Sequence, residues 1–190
     1  MLDASGARID PKESGSLPAY FRMMRVDHWV KNVFVLPGIL VALSIEPHRI
    51  DWVDILVGML AVCLISSSNY VLNELLDAPF DRFHPAKSQR AAASGRVNRT
   101  LGYLEWIALL AAGLALSLRI SIPFTIVMAA LWFMGCVYNI PPIRAKDGAY
   151  LDVLSEAINN PLRMLAGWYM TRTMAVPITS LLISYWMIGC

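Results

Sequence analysis

Six stretches of this chain, at about 29–45, 53–75, 101–118, 121–140, 150–170 and 174–190, are apolar over nearly the length a membrane helix requires. A helix needs roughly 20 such residues to cross the hydrocarbon core. Water does not reach that core, so each crossing segment must satisfy its backbone internally, and at these lengths only a helix does so. The expected fold class is therefore all-α, a polytopic transmembrane helix bundle. Charged residues are only 16% of the 190 positions, against about a quarter in soluble domains. The net charge of +2 excludes the basic balance of a nucleic-acid binder.

Lys and Arg are distributed unevenly about these spans, and that asymmetry sets orientation. Twelve of the 16 fall in the segment up to Lys31 (Arg8, Lys12, Arg22, Arg25, Lys31), in loop 77–99, or in the Arg144/Lys146 loop. The alternate connections hold three, Arg49, Arg119 and Arg172, and Arg163 lies inside a span. The expectation is an integral protein of the cell inner membrane, with its N-terminus and both rich loops cytoplasmic. Residues 1–16 lack the apolar core of a signal peptide and are expected to be a disordered cytoplasmic tail. Segment 17–32 mixes aromatics with Arg25, His28 and Lys31, the pattern of an interfacial helix with Trp29 at headgroup level. Cys63, Cys136 and Cys190 sit in apolar surroundings without metal-ligand spacing, so inert thiols are expected.

Polar chemistry gathers at the cytoplasmic ends. Asn73, Asp77 and Asp81 are spaced by four as the second span runs out, which places them on one side of a helix. Pro79 is expected to loosen that helix and swing Asp81 aside. His84, Lys87 and Arg90 follow. Hard oxygen ligands suit Mg²⁺ bridged to phosphate, and Lys and Arg suit the phosphate itself. In the fifth span Asp152, Glu156, Asn159 and Arg163 share one face at spacings of four, three and four. A charge near mid-bilayer costs roughly 2.5–3.5 kcal/mol, so such a stripe faces a partner or a cavity. Structural alternatives remain open at this point: the basic loop as a topological anchor, and Glu156 with Arg163 as a neutralising pair. Between the two regions stands Tyr138-Asn-Ile-Pro-Pro-Ile-Arg144-Ala-Lys146, whose Pro pair ends the fourth span.

Together these residues resemble the UbiA superfamily of intramembrane prenyltransferases. Its first acidic motif is matched by Asn73-Glu74-xx-Asp77-xxx-Asp81 with the Lys87, Arg90 and Ser94-Gly95 loop, and its Pro-Pro-x-Arg-x-Lys stretch by residues 138–146. Its second motif is matched by Asp152-xxx-Glu156. Glu74 and Glu156 stand where Asp is usual, and Ala91 where Pro is usual. The resemblance implies a nine-span bundle, of which residues 17–190 would supply about six spans of an incomplete domain. It also implies Mg²⁺ as cofactor, with Asn73, Asp77 and Asp81 holding one ion and Asp152 and Glu156 the other. Asp77, Asp81, Asp152, Lys87 and Arg90 would be catalytic, and Lys87, Arg90, Arg144, Lys146, Arg163 and Tyr138 would contact phosphate. The implied partners are the bilayer, an isoprenyl diphosphate or polyprenyl phosphate, and a small-molecule acceptor.

The implied reaction is isoprenyl transfer from a polyprenyl diphosphate to that acceptor. The Trp29-Val-Lys31-Asn32 and His84-Pro85-x-Lys87 elements instead resemble the decaprenyl-phosphate phosphoribosyltransferase branch, which implies 5-phosphoribosyl transfer to a polyprenyl phosphate. Outside enzymes, the alternatives are a transporter, for which polar groups would run through the bilayer depth, and an inactive truncated remnant.

Overall fold

A computed structural model describes residues 17–47, 51–173, 175, 177 and 179–189. The 1–16 tail with Arg8 and Lys12, the loop residue Arg49, and Cys190 lie outside the described residues. Seven α-helices follow one another: α1 (Leu17–Met23), α2 (Leu36–Ile45), α3 (Trp52–Asp81), α4 (Arg99–Ile120), α5 (Ile122–Asn139), α6 (Ala149–Met170) and α7 (Thr179–Gly189). Two 3₁₀ segments, Val26–Val35 and Ala145–Asp147, precede α2 and α6.

The helix starts are written locally. Asp51 accepts from Val53 N at 2.9 Å, and Asn98 accepts from Thr100 N and Leu101 N. Ser121 accepts from Phe124 N ahead of a Pro in the first turn of α5. Each oxygen satisfies a donor that the helix start leaves without an intrahelical partner.

Among the described residues four helical stretches are long and apolar enough to cross a membrane: Leu17–Ile45, Trp52–Asp81, Arg99–Ile120 and Ile122–Asn139. Six were expected. α6 has 22 residues, enough for a span, but Asp152, Glu156 and Arg163 make it too polar to count with the others; α7 has only 11. α3 packs along both α4 and α5, and α6 packs against α2, α5 and α7. Their shared core includes Ile39, Ile65, Phe124, Met128, Ala166 and Met170. Leu40, Leu56 and Ile126 point outward, more than 60% exposed, as bilayer-facing side chains do.

The segment expected as one interfacial helix is a short α1 followed by the 3₁₀ run, entered through Arg25 at φ 47°. A 3₁₀ helix has three residues per turn, so side chains three apart eclipse. That period sorts the run into three columns. Trp29 Nε1 donates to Ser67 Oγ at 2.9 Å, Asn32 Nδ2 meets Cys63 Sγ at 3.3 Å, and Val35 is fully buried. Trp29 and Asn32 dock this column on α3, and Val35 sets it against Gly167 of α6. Asp27, Val30, Val33 and Leu36 form an exposed column. Arg25, His28 and Lys31 form the third. Trp29 is thus tied to α3, not free at the headgroup level.

Candidate active site

α3 continues through Pro79 to Asp81 without a break, so the loosening expected at Pro79 does not occur. The helix lacks only the one donor that proline never has, and Arg82 N still reaches Ala78 O at 3.4 Å. Asp77 and Asp81 nevertheless serve different partners. Lys146 Nζ donates to Asp77 Oδ1 at 2.6 Å, and Arg144 Nη2 donates to the same oxygen at 3.0 Å. Lys146 also donates to Asn139 Oδ1 at 3.0 Å, and Asn73 Nδ2 donates to that same atom at 2.6 Å.

The chain reaches this arrangement because α5 stops at Asn139: Ile140 is extended and Pro141-Pro142 cannot continue the helix. Arg144, at φ 33°, then turns the backbone into the short 3₁₀ segment that carries Lys146. Its guanidinium lies 5.4 Å over the Phe80 ring and pairs with Asp147 at 2.9 Å. Burial lowers the Lys146 pKa from the usual lysine value, and the bond to Asp77 opposes that shift.

Asp81 is buried and accepts from Arg90 Nη1 at 2.6 Å. Glu74, also buried, accepts from Ala92 N at 3.1 Å. These two contacts fold loop 82–98 back onto α3. Glu74, in a position where the resemblance has Asp, is therefore a loop tie. Lys87 stands exposed on the loop.

Beside this network lies a cavity of about 230 Å³ between the Val26–Val35 segment, α3, α5 and α6. Of the residues singled out in the sequence, Asn73, Tyr138, Glu156 and Arg163 line it, and Asn159 joins them. Of the four residues expected on one face of the fifth span, Glu156, Asn159 and Arg163 line the cavity and Asp152 does not. Asp152, one turn earlier, accepts from Tyr138 Oη at 2.8 Å. Tyr138 is within electrostatic reach of Asp77, Asp152 and Glu156, so it stands where the two acidic regions meet.

Asp77, Asp81, Lys87, Arg90, Arg144, Lys146 and Asp152 do not line the cavity; Asp77, Arg144 and Lys146 adjoin it through Asn139 and Asn73, and Asp152 adjoins it through Tyr138. Sequence reasoning missed Asn69, Tyr70 and Asn139 as lining residues and placed Arg25, His28 and Lys31 on an interfacial helix rather than on the cavity. The signal for the trio was its spacing of three. Asn69 stands one turn before Asn73 on the same helix face.

Among the described residues no three of His, Cys, Asp or Glu gather around one point. A closed metal cage is therefore absent there. Mg²⁺ keeps several waters and is commonly held by one or two carboxylates plus substrate phosphates. Of the oxygen groups expected to hold metal, Asn73 and Glu156 line the cavity, while Asp77 is held by Lys146 and Arg144 and Asp152 by Tyr138.

The chain matches the UbiA prenyltransferase family over residues 34–190. It is 31% identical over 155 residues to a decaprenyl-phosphate phosphoribosyltransferase of Mycobacterium tuberculosis, covering 80% of this chain and 50% of that one. It is 27% identical over 140 residues to a digeranylgeranylglyceryl phosphate synthase of Saccharolobus solfataricus, covering 73% of this chain and 47% of that protein. The chain thus spans about half the length of these curated relatives. Its fold is that of a UbiA homologue from Archaeoglobus fulgidus bound to GPP and Mg²⁺, with a TM-score of 0.77 at 24% identity over 90% of this chain and 59% of the other. This chain is a member of the UbiA prenyltransferase family.

Proposed function

We propose that the chain carries the acidic motifs of a Mg²⁺-dependent membrane transferase that moves the 5-phosphoribosyl group of phosphoribosyl diphosphate onto a polyprenyl phosphate. The observation that carries this choice is the lining of the cavity. Apart from Leu131 and Gly135, every lining side chain bears a polar atom. Pockets for apolar ligands are mostly apolar with a few placed polar groups, whereas a sugar diphosphate presents donors and acceptors all round. The likeness to decaprenyl-phosphate phosphoribosyltransferases, at 29–31% identity, supports the same branch.

In this reading Asn73 and Asp77 would hold one Mg²⁺, which Asp81 would join by exchanging its Arg90 partner, and Asp152 and Glu156 would hold the other. The chemistry bound Mg²⁺ supplies is neutralisation of the diphosphate charge. Arg144 and Lys146, already gathered on Asp77, meet the departing oxygens, with Lys87 and Arg90 arriving from the loop. Tyr138 holds Asp152 in position through its hydroxyl. An oxygen of the polyprenyl phosphate attacks C1 of the ribose, the C1–O bond to the diphosphate breaks, and the electron pair leaves with pyrophosphate; no proton need move. The uneven Lys and Arg distribution supports placing the two acidic-motif loops on the cytoplasmic side of the membrane.

A second reading, isoprenyl transfer from an isoprenyl diphosphate to a small acceptor, is favoured by the prenyl diphosphate in the A. fulgidus structure. One experiment separates the two. Protein purified in detergent with Mg²⁺ is given ribose-labelled phosphoribosyl diphosphate and a polyprenyl phosphate, or a labelled prenyl diphosphate and an aromatic acceptor. Ribose label passing into the organic phase only when polyprenyl phosphate is present is the expected result. Transfer from the prenyl diphosphate alone would replace the first reading with the second, and no transfer in either arm would refute both for these 190 residues.

A further inference from the structure

We infer that Arg25, His28, Lys31 and Arg163 form a separate anion subsite that takes the phosphate monoester of the lipid acceptor, an inference that rests on the phosphoribosyl-transfer reading. The first argument is the 3₁₀ geometry. Residues three apart stack in one row at three residues per turn, whereas in an α-helix they would drift by about 60° at each step. The 3₁₀ form stacks His28 and Lys31 in one row behind the entry residue Arg25, and all three line the cavity. The neighbouring column is docked, Trp29 and Asn32 on α3 and Val35 against Gly167 of α6.

The second argument is unsatisfied chemistry. His28 Nδ1 and Arg163 Nε are buried and find no hydrogen-bond partner among the described residues. Burying a donor without a partner costs about 1–3 kcal/mol, more for a charged group, so the unpaired Arg163 Nε points to a ligand that accepts from it, beside His28 Nδ1 and Asn69 Oδ1, which also lack partners in this cavity. His28 is held edge-on against Tyr70 with ring centroids 5.3 Å apart, and its Nε2 faces Asp27 at 3.4 Å. Arg25 lies 5.7 Å over the same Tyr70 ring. Both are thus positioned by α3 with nitrogen left over.

The third argument is charge. Arg25, Lys31 and Arg163 face a single lining carboxylate, Glu156, which leaves an excess of positive charge in a low-dielectric space. Arg163 stands seven residues beyond Glu156 on α6, roughly 10 Å further from the acidic motifs along the helix axis. The cations assigned to the departing diphosphate, Arg144 and Lys146, gather instead on Asp77. Two cationic groups separated in this way suit two phosphate-bearing substrates. The one built on Arg163, further along α6 from the acidic motifs, suits the substrate whose tail stays in lipid.

Equilibrium binding to the detergent-purified chain tests this without turnover, using farnesyl phosphate, farnesol, inorganic phosphate and phosphoribosyl diphosphate as probes. Farnesyl phosphate is expected to bind at least about tenfold tighter than either farnesol or inorganic phosphate. Lys31→Gln, exposed enough to fold normally, should weaken farnesyl phosphate about tenfold while leaving farnesol and phosphoribosyl diphosphate within about twofold; His28→Gln should act in the same direction. Farnesol binding as tightly as farnesyl phosphate would overturn the subsite. So would inorganic phosphate binding equally well, which marks a free-phosphate site, or Lys31→Gln weakening phosphoribosyl diphosphate to the same degree, which gives these cations to the donor. If the expected binding pattern holds while no ribosyl transfer occurs, the subsite stands and the proposed reaction falls.

Discussion

Gly167→Ala is the substitution whose effect the fold predicts most sharply. α2 and α6 cross with their backbones touching. A Cβ on Gly167 would fall inside the Val35 carbonyl oxygen and stand 3.0 Å from Ile39 N, and a Cβ on Gly38 would strike the Met164 carbonyl. Neither obstacle is a side chain that can rotate away. α6 must retreat by roughly 1 Å or more before the pair reaches van der Waals separation. Overpacking of this kind costs about 1–3 kcal/mol, which for a chain of this size lowers Tm by roughly 2–12 °C. The same retreat carries Arg163, one turn away, off its position. Misplacement by about 1 Å can cost 10²-fold in rate. The assay is thermal unfolding in detergent by intrinsic fluorescence, alongside turnover. Gly58→Ala is the control, because there the new Cβ meets only the flexible Met170 side chain. If Gly167→Ala keeps the wild-type Tm, or Gly58→Ala is the more damaging, the tight α2–α6 crossing is refuted.

Tyr138→Phe removes the donor to Asp152 and should lower kcat by about tenfold or more, given about 1.5–3 kcal/mol for a hydrogen bond to a charged group, with Tm little changed; unchanged kcat would remove Tyr138 from the site. EDTA should abolish turnover and excess Mg²⁺ restore it, whereas activity surviving the chelator contradicts metal dependence. Arg172 pairs with the buried Asp54 and reaches Arg119 O at 3.4 Å, at the opposite end of the bundle from Asp77. Arg172→Gln should therefore lower Tm while leaving the KM of both substrates unchanged, and a shifted KM would argue that this end communicates with the site.

The parts of the site carried by regular α-helices were legible in the sequence. Spacings of three and four put Glu156, Asn159 and Arg163 on one face of α6, and they do line one cavity. Asn73 and Asp77 follow from the same arithmetic. What stayed hidden was decided by tertiary contact. Arg25, His28 and Lys31 read as part of an interfacial helix, and only the folded chain shows their segment at three residues per turn with all three on the cavity. Asn139 reads as the last residue of an apolar span, and only the return of the chain after Pro141-Pro142 makes it the acceptor shared by Asn73 and Lys146. Pro79 misled for a related reason: neighbouring turns hold α3 together through the one missing donor. Asp81 pairs with Arg90 because the loop folds back, a contact that helix spacing does not encode.

The central claim is that carboxylates from α3 and α6 serve one metal–diphosphate site. Mn²⁺ binding followed by electron paramagnetic resonance in the presence of phosphoribosyl diphosphate tests it directly. Asp77→Asn and Glu156→Gln should each weaken Mn²⁺ binding by about tenfold or more, since each removes a charged oxygen ligand. Wild-type Mn²⁺ affinity in Glu156→Gln, with loss confined to Asp77→Asn, would contradict the shared site.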